Sequence, residues 1–211
     1  MKRVAFIPAR GGSKGIKNKN ICMVNNEPLL FYAITAAKYS NVDEVWVSTD
    51  SSSIKSVARS LGAKVLDRPS DISSDSSPSE DALLHFAENV DFDVVVFIQA
   101  TSPLLQPDHI NGGLEMMRDY DSVLSAYREH WLPRWSDDGY PINFDSFPDR
   151  GMRQDHGSVW VENGAFYITS KDNLLDVRQR VGGQVGIYEM KPQESVQIDN
   201  PSDIDFVEKL L

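Results

Sequence analysis

Short apolar runs that alternate with helical segments constrain the fold of this chain of 211 residues more than any other feature. Residues 4–8, 44–48 and 94–98 are predicted strands, and the third is the most apolar of them. Near-continuous runs of Val, Ile and Phe are typical of parallel sheets that helices cover on both faces. The sequence therefore predicts one three-layer α/β domain over residues 1–211, built on a mostly parallel sheet.

The segments between these strands carry helix start and stop signals. A helix is predicted over 28–37, with Pro28 at its first position. Another is predicted over 51–61, capped by a hydroxyl or carboxylate and closed by Gly62. Further predicted helices are 79–89, 107–117 and 201–211, and further predicted strands are 64–66, 166–169 and 185–190.

Between residues 122 and 161 the regular periodicity weakens. Three of the four tryptophans lie in this segment, at Trp131, Trp135 and Trp160. Aromatic residues outside a clear core pattern are typical of a subunit interface. We therefore expect residues 122–161 to be a small dimerisation excursion from the sheet. A satellite cluster of aromatic residues beneath a loop is the alternative.

The distribution of charge limits the class of ligand. The formal net charge is −10, which disfavours nucleic acid or an anionic membrane as a partner. The first 20 residues nevertheless contain six basic side chains and no acidic one, which indicates a compact polyanionic ligand. No apolar run approaches the roughly 20 residues that a membrane span needs. The single cysteine, Cys22, excludes an internal disulfide and suits a cytoplasmic protein.

The loop at residues 10–15 is rich in glycine and follows the first predicted strand. Glycine lets backbone N–H groups approach phosphate oxygens, and Arg10 and Lys14 add charged donors. The glycine spacing fits neither a Walker A loop nor a dinucleotide fingerprint. Ligands of parallel sheets bind beyond the carboxyl ends of the strands, which places this loop, Asp50 and residues 99–103 on one rim. The loop predicts a phosphate site, with a tight turn carrying solvated lysines as the alternative.

Motifs along nearly the whole chain have the order and spacing of a known family. They are residues 7–15, 19–20, 47–50, 75–79, 98–103, 153–155, 162–167 and 195–199. Together they resemble the acylneuraminate cytidylyltransferases, or CMP-sialic acid synthetases. The resemblance implies a Rossmann-like nucleotidyltransferase fold. It also implies transfer of CMP from CTP to the anomeric hydroxyl of a nine-carbon, sialic-acid-type sugar, with release of pyrophosphate.

The same resemblance implies roles for individual residues. Nucleotide contacts are expected from Arg10, Gly12, Ser13, Lys19, Asn20, Arg68, Ser77 and Ser79, and sugar contacts from Gln99, Thr101, Ser102, Gln154 and Tyr167. Catalytic roles are expected for Lys14, Arg153 and Asp199. These residue types suit the chemistry, because hydroxyls and amides can read cytosine and a guanidinium forms a fixed fork for phosphate or carboxylate. Helix capping is the alternative for Ser77 and Ser79, and a core position is the alternative for Tyr167.

The late segment departs from the family pattern. The family usually has Asp-x-Asp, whereas this chain has Gln197-Ile198-Asp199. Mg²⁺ favours carboxylates together with substrate phosphates, and one carboxylate can suffice. Asp199 is therefore the expected ligand of Mg²⁺, with Mn²⁺ as a possible replacement. Gln197 leaves the number of bound ions open.

Three other functions remain open at this stage. A cytidylyltransferase for another sugar acid, such as KDO, is the nearest. A dinucleotide-dependent oxidoreductase is disfavoured by the glycine spacing, and a non-catalytic nucleotide-binding protein is supported by Gln197. The expected partners are CTP and a nine-carbon acid, with N-acetylneuraminate, Kdn, legionaminate and pseudaminate not distinguished. A cytoplasmic homodimer or tetramer is expected, with no nucleic acid or membrane partner.

Overall fold

The computed structural model describes residues 1–13, 15–130, 132–143, 152, 154 and 157–211. Its strands are β1 (Arg3–Pro8), β2 (Met23–Val24), β3 (Glu27–Pro28), β4 (Glu44–Thr49), β5 (Lys64–Asp67), β6 (Val94–Ile98), β7 (Ser122–His130), β8 (Ser158–Ser170) and β9 (Val185–Glu189). Its α-helices are α1 (Leu29–Lys38), α2 (Ser52–Ser60), α3 (Ser79–Asn89), α4 (Pro107–Met116), α5 (Lys171–Val177) and α6 (Pro201–Val207).

Seven strands form one sheet in the order β5-β4-β1-β6-β8-β7-β9. Among the seven described strands of this sheet, β8 alone runs antiparallel to its neighbours, which confirms the predicted mostly parallel sheet. The chain passes from β1 to β4 on one side and returns across the sheet to β6 on the other side. A crevice opens where the strand order reverses in this way, beyond the carboxyl ends of β1 and β6.

The two faces of the sheet bury different helices. Helices α1, α2 and α4 cover one face, and α3 and α5 cover the other. Alternate residues of β1 point to opposite faces, with Ala5 and Ile7 in the first core and Val4 and Phe6 in the second, all fully buried. Each buried Val, Ile or Phe side chain contributes about 1.5–3 kcal/mol, so both faces stabilise the central strand. None of the described helices has the length and apolar character needed to span a membrane.

Part of the segment 122–161 belongs to the sheet, which corrects the prediction that all of it leaves the sheet. The first half of β7 pairs with β8 and β9, and its register with β8 shifts between Leu124 and Ala126. Residues 127–130 then pair with residues 158–161 in a two-stranded ribbon that β9 does not follow. An exposed ribbon buries neither face fully, which explains the weak periodicity of the sequence.

A third, smaller core fixes the late segment of the chain. The hairpin β2–β3 and helix α6 meet there through the buried side chains of Val24, Ile198 and Val207. Pro28 ends this hairpin with an extended backbone before α1, so it precedes the helix rather than occupying the predicted first helical position. Helix α6 ends at Val207, four residues before the predicted end at residue 211.

Candidate active site

A cleft with a volume of about 450 Å³ lies beyond the carboxyl ends of β1 and β6. It is lined by residues from the end of β1, the glycine loop, the position after β5, the start of α3, β6 with its following turn, and the late segment. They are Pro8, Arg10, Ser13, Gly15, Lys19, Asn20, Arg68, Ser77, Pro78, Ser79, Phe97, Gln99, Ala100, Thr101 and Asp199. Ten of these residues are site residues that the sequence predicted. We call this space the nucleotide cleft, after the nucleotide contacts that the sequence predicts among them.

Hydrogen bonds hold the glycine loop on two sides. The backbone N–H of Gly11 donates to Oδ1 of Asp50 at 2.8 Å, and Nδ2 of Asn20 donates to the carbonyl of Arg10 at 2.9 Å. Gly12 has a φ of +69°, a conformation that side chains rarely adopt. The loop and Asp50 therefore meet on one rim, as predicted. Lys14 lies outside the described residues.

Arg68 provides a rigid, buried cation beside this loop. Its Nε donates to Oγ of Ser48 at 3.1 Å, and its Nη2 donates to the Ser48 carbonyl at 2.8 Å. Burial lowers the pKa of Arg68 to about 10. The negative charge of Asp50 opposes this shift, and the positive charge of Arg10 adds to it. The guanidinium is therefore still charged at neutral pH and can bind an anion without first becoming ordered.

The turn before α3 is stabilised by its own hydroxyls. Oγ of Ser77 lies 2.7 Å from Oγ of Ser74 and accepts a hydrogen bond from the Ser74 N–H at 3.2 Å. Pro78 occupies the N-cap position and has no capping side chain, so neither Ser77 nor Ser79 caps this helix. Nη2 of Arg10 forms an ion pair with Asp75 in the same turn at 2.6 Å. This ion pair joins the glycine loop to the start of α3.

The late segment closes the cleft opposite the turn. Nζ of Lys19 lies 2.9 Å from Oδ1 of Asp199, and the Asp199 side chain is 61% exposed. A β-carbon on Gly15 would lie only 2.7 Å from the carbonyl oxygen of Asp199. Ile198 donates from its N–H to the carbonyl of Thr101 at 2.9 Å. Asp199 is therefore held between the glycine loop and the turn that follows β6.

Within the described part of the chain, no group of three or more His, Cys, Asp or Glu side chains is arranged to hold a metal ion. Asp199 supplies a single exposed carboxylate at the nucleotide cleft. Such a site fits Mg²⁺ when substrate phosphates and water supply most of the oxygen ligands. The residues present thus agree with a metal that enters together with a phosphorylated substrate.

A second cleft of about 410 Å³ shares Gln99 with the first. Its lining residues are Gln99, Tyr127, Val161, Glu162, Asn163, Gly164, Tyr167, Ser195 and Gln197. We call it the acceptor cleft, after the sugar contacts that the sequence predicts for Gln99 and Tyr167. Gln197 donates from Nε2 to the carbonyl of Asn163. Gly164 has a φ of +70°, and a β-carbon there would lie 2.6 Å from Nε2 of Gln197 and 3.3 Å from Oε1 of Gln99. The wall of this cleft therefore requires glycine at position 164.

Tyr167 belongs both to the core and to the acceptor cleft. The residue is 4% exposed, and its hydroxyl donates a hydrogen bond to Glu162. Burial raises the pKa of Tyr167 well above its usual range, and the hydrogen bond and charge of Glu162 raise it further, whereas Arg180 opposes the shift. The hydroxyl therefore remains protonated at neutral pH and can both donate and accept hydrogen bonds.

Some predicted site residues are not brought to either cleft. Ser102 is buried and lines neither space, and within the described residues its Oγ has no hydrogen-bond partner. Gln154 is exposed and also lines neither, and Arg153 lies outside the described residues. Conversely, the sequence predicted no role for Asp75 or Glu162. Both stand in motifs of the resemblance, but their contacts depend on distant partners that no local pattern indicates.

A cavity of about 490 Å³ lies at the opposite edge of the sheet, beside Arg3, Val94 and Ser170. These residues stand at the amino ends of β1 and β6 and at the end of β8. Its volume exceeds that of the nucleotide cleft, but ligands of parallel sheets bind at the carboxyl ends of the strands. The glycine loop, Arg68 and Asp199 all lie at the carboxyl edge. The nucleotide cleft is therefore the better candidate for the active site.

Comparison with known proteins agrees with this fold. Residues 4–211 match the family model described as cytidylyltransferase. The chain is 43% identical to N-acylneuraminate cytidylyltransferase A of Danio rerio over 213 residues, which covers 96% of this chain and 48% of the relative. It is 30% identical to CMP-N,N'-diacetyllegionaminic acid synthase of Legionella pneumophila over 224 residues, which covers 100% of this chain and 97% of the relative.

The fold is also similar to that of a solved structure, CMP:2-keto-3-deoxy-manno-octonic acid synthetase complexed with CTP. The TM-score is 0.76 at 18% identity, with 100% of this chain and 98% of the other covered. At this identity the likeness concerns the fold alone. The chain spans about half the length of the Danio rerio relative. Because the cytidylyltransferase family model matches residues 4–211, this chain belongs to the cytidylyltransferase family.

Proposed function

We propose that this protein transfers CMP from CTP to the anomeric hydroxyl of a nine-carbon, sialic-acid-type sugar acid and releases pyrophosphate. One observation carries the proposal: two polar clefts lie side by side and share Gln99. The first has a glycine loop and several cations, as a nucleoside triphosphate requires. The second is polar and lacks that loop, which suits an acceptor. The relatives that share this family are named for such sugar acids.

The nucleotide cleft would bind CTP through groups of two kinds. Arg10, Lys14, Lys19 and Arg68 would neutralise the triphosphate, and the backbone around Gly12 and Ser13 would approach its oxygens. Asn20, Ser77 and Ser79 are short polar residues able to read the O2, N3 and amine of cytosine. Discrimination of this kind is strong, because a wrong base leaves polar groups of the site without partners.

The acceptor cleft would hold the sugar acid beside the α-phosphate. Gln99, Thr101 and Tyr167 are the proposed sugar contacts, and Arg153 would clamp the carboxylate or the charge of the transition state. The anomeric hydroxyl attacks the α-phosphorus and loses its proton to water, the bond from the α-phosphorus to the bridging oxygen breaks, and pyrophosphate leaves. The side chains contribute mainly by holding the nucleophile and leaving group in line and by balancing charge.

Mg²⁺ is the proposed cofactor, with Mn²⁺ as a replacement, and Asp199 is its proposed protein ligand. Bound together with the triphosphate, the ion would supply positive charge next to the leaving group. Lys19 contacts the same carboxylate and would keep it oriented toward the cleft. Gln197 hydrogen-bonds the backbone of β8, which supports one late carboxylate in this site rather than two.

A homodimer or tetramer is the proposed assembly, joined through the segment 122–161. The ribbon and its following loop expose large apolar side chains, whereas a surface that faces water is normally rich in charged residues. These side chains are Leu132, Trp135, Tyr140, Ile142 and Val159. A paired copy would cover them, and aromatic residues are enriched in such interfaces.

The proposed function is tested by incubating the protein with CTP, Mg²⁺ and one acid at a time. The acids are N-acetylneuraminate, Kdn, legionaminate, pseudaminate and KDO, and the readouts are pyrophosphate release and the mass of the CMP-sugar. At least one nine-carbon acid should give product, and ATP or UTP in place of CTP should not. Absence of product from every nine-carbon acid, with either Mg²⁺ or Mn²⁺, would contradict the proposal. Product from KDO alone would favour the eight-carbon alternative.

A further inference from the structure

Arg180 lies between α5 and β9 and lines neither cleft. Its guanidinium carbon is 4.9 Å from the ring centroid of Phe97 and 4.9 Å from that of Tyr167. Its Nε donates to Oε1 of Glu80 at 2.6 Å. The Arg180 and Glu80 side chains are only 22% and 14% exposed. The cation is therefore largely withdrawn from water and contacts two rings and one carboxylate.

Two of these three contacts line a cleft, and the third is adjacent in the chain to a lining residue. Phe97 on β6 lines the nucleotide cleft, and Glu80 follows Ser79 in the first turn of α3. Tyr167 on β8 lines the acceptor cleft. The two rings meet edge to face, with centroids 5.8 Å apart. Arg180 is thus a single group that touches elements of both clefts from behind.

The contact to Tyr167 continues toward the acceptor side. The Tyr167 hydroxyl donates to Glu162, which lines the acceptor cleft. One continuous set of contacts therefore runs from Glu80, which follows Ser79 of the nucleotide cleft, through Arg180 and Tyr167, to Glu162. Movement of the guanidinium would displace the Tyr167 ring and the first turn of α3 together.

We propose that Arg180 is a positioning residue that sets the placement of the nucleotide and acceptor clefts relative to each other. This inference rests on the proposed two-substrate function. An arginine suits the position because its planar guanidinium can contact two rings while its Nε binds a carboxylate. A lysine would keep the charge opposite Glu80 but could not reproduce this geometry.

Two substitutions at this position, with a control nearby, test the proposal. Arg180→Lys keeps the ion pair, and Arg180→Met keeps much of the length but removes the charge. Arg178→Met is the matched control, because Arg178 is an exposed arginine only two residues away. The measurements are the KM for CTP and for the sugar acid, the dissociation constant of CTP by calorimetry, and the Tm.

Arg180→Lys should raise both KM values and the CTP dissociation constant by about tenfold, with the Tm near that of the wild type. Arg180→Met should have at least the same effect on KM and should also lower the Tm, because it leaves Glu80 without its partner. Arg178→Met should change none of these quantities. Unchanged KM values in Arg180→Lys and Arg180→Met would overturn the proposal.

A double variant separates positioning from a purely structural role. Glu80→Gln combined with Arg180→Met leaves no unpaired charge, so the Tm should recover while both KM values stay high. Recovery of the KM values together with the Tm would show that Arg180 only stabilises the fold. If the wild type formed no CMP-sugar, the proposed function would fail. The CTP dissociation constant would then decide the role of Arg180 by itself, and an unchanged value in Arg180→Lys would overturn it.

Discussion

Nζ of Lys19 lies 2.9 Å from Oδ1 of Asp199, so the first and last segments of the nucleotide cleft are joined by an ion pair between residues 180 positions apart. The Lys19 side chain is mostly buried, whereas Asp199 remains exposed to the cleft. The lysine therefore holds one of the two carboxylate oxygens of Asp199. This contact makes Asp199 the residue at which metal dependence should be most sensitive to substitution.

Asp199→Asn should reduce turnover by at least about 100-fold, because removing a charged group from a transition-state or metal contact typically costs about 3 kcal/mol or more. CTP binding in the absence of metal should change little. Steady-state assays with a magnesium titration measure the effect. Asp205→Asn, an exposed position on α6, is the control and should behave as the wild type. Full activity in Asp199→Asn would remove the late segment from the metal site.

Gln197→Asp should lower activity without changing the magnesium dependence. The side chain of Gln197 donates to the carbonyl of Asn163, and an aspartate would remove the donor and set a negative charge near that oxygen. Loss of such a hydrogen bond costs about 1–3 kcal/mol. Gln197→Glu, which keeps the length, should show a similar loss. Tighter apparent magnesium binding in Gln197→Asp would instead indicate that position 197 faces the metal.

Gly164→Ala should raise the KM for the sugar acid and lower the free energy of unfolding by about 1–3 kcal/mol. The new methyl group would meet Gln197 and Gln99 in the wall of the acceptor cleft, at a φ of +70°. Gly139→Ala is the matched control, because Gly139 has a φ of +81° but no atom within 4 Å of a β-carbon. Urea unfolding and kinetics of both variants separate backbone strain from the clash. Equal effects in the two variants would show that the contact has no influence.

Glu44 should make stability depend on pH at acid values. Hydrogen bonds from Lys64 and Trp46 lower the pKa of Glu44 from 4.5 to about 2. The folded state thus holds this proton more weakly than the unfolded state. The ionised carboxylate of Glu44 therefore contributes fully to the free energy of unfolding above about pH 4.5, and this contribution is lost as the pH falls toward 2. Urea unfolding from pH 6 to pH 2 should show that the free energy of unfolding declines less for Glu44→Gln than for the wild type. Parallel curves would exclude this role.

Ile142→Glu should weaken self-association, because Ile142 is 64% exposed in the loop that follows the ribbon. A charge in an apolar interface is costly to desolvate, so the variant should be largely monomeric at micromolar concentration. Light scattering measures the mass. Leu175→Glu, at an exposed apolar position on α5, is the control and should leave the mass unchanged. A wild-type protein that is monomeric and fully active would contradict the proposed assembly.

The sequence alone determined the parts of this protein that depend on local patterns. The apolar runs at the centre of the sheet predicted β1, β4 and β6, because a strand buried on both faces must be apolar at nearly every position. The sequence also predicted that the glycine loop lies beside Asp50 and Gln99, because the carboxyl ends of parallel strands share one edge of the sheet. Both are consequences of neighbouring residues and of sheet geometry, which need no knowledge of distant contacts.

Only the tertiary structure decided which distant side chains meet. The pairing of Arg10 with Asp75 and the contacts of Arg180 join residues from separate elements, and no spacing in the sequence encodes them. The sequence also did not predict that β7 belongs to the sheet. Half of that strand continues into an exposed ribbon, where apolar and polar residues no longer alternate. In the sequence, Gln197 stands where the family usually has an aspartate. In the folded chain it is a donor to the Asn163 backbone, since packing against Gly164 directs its amide there.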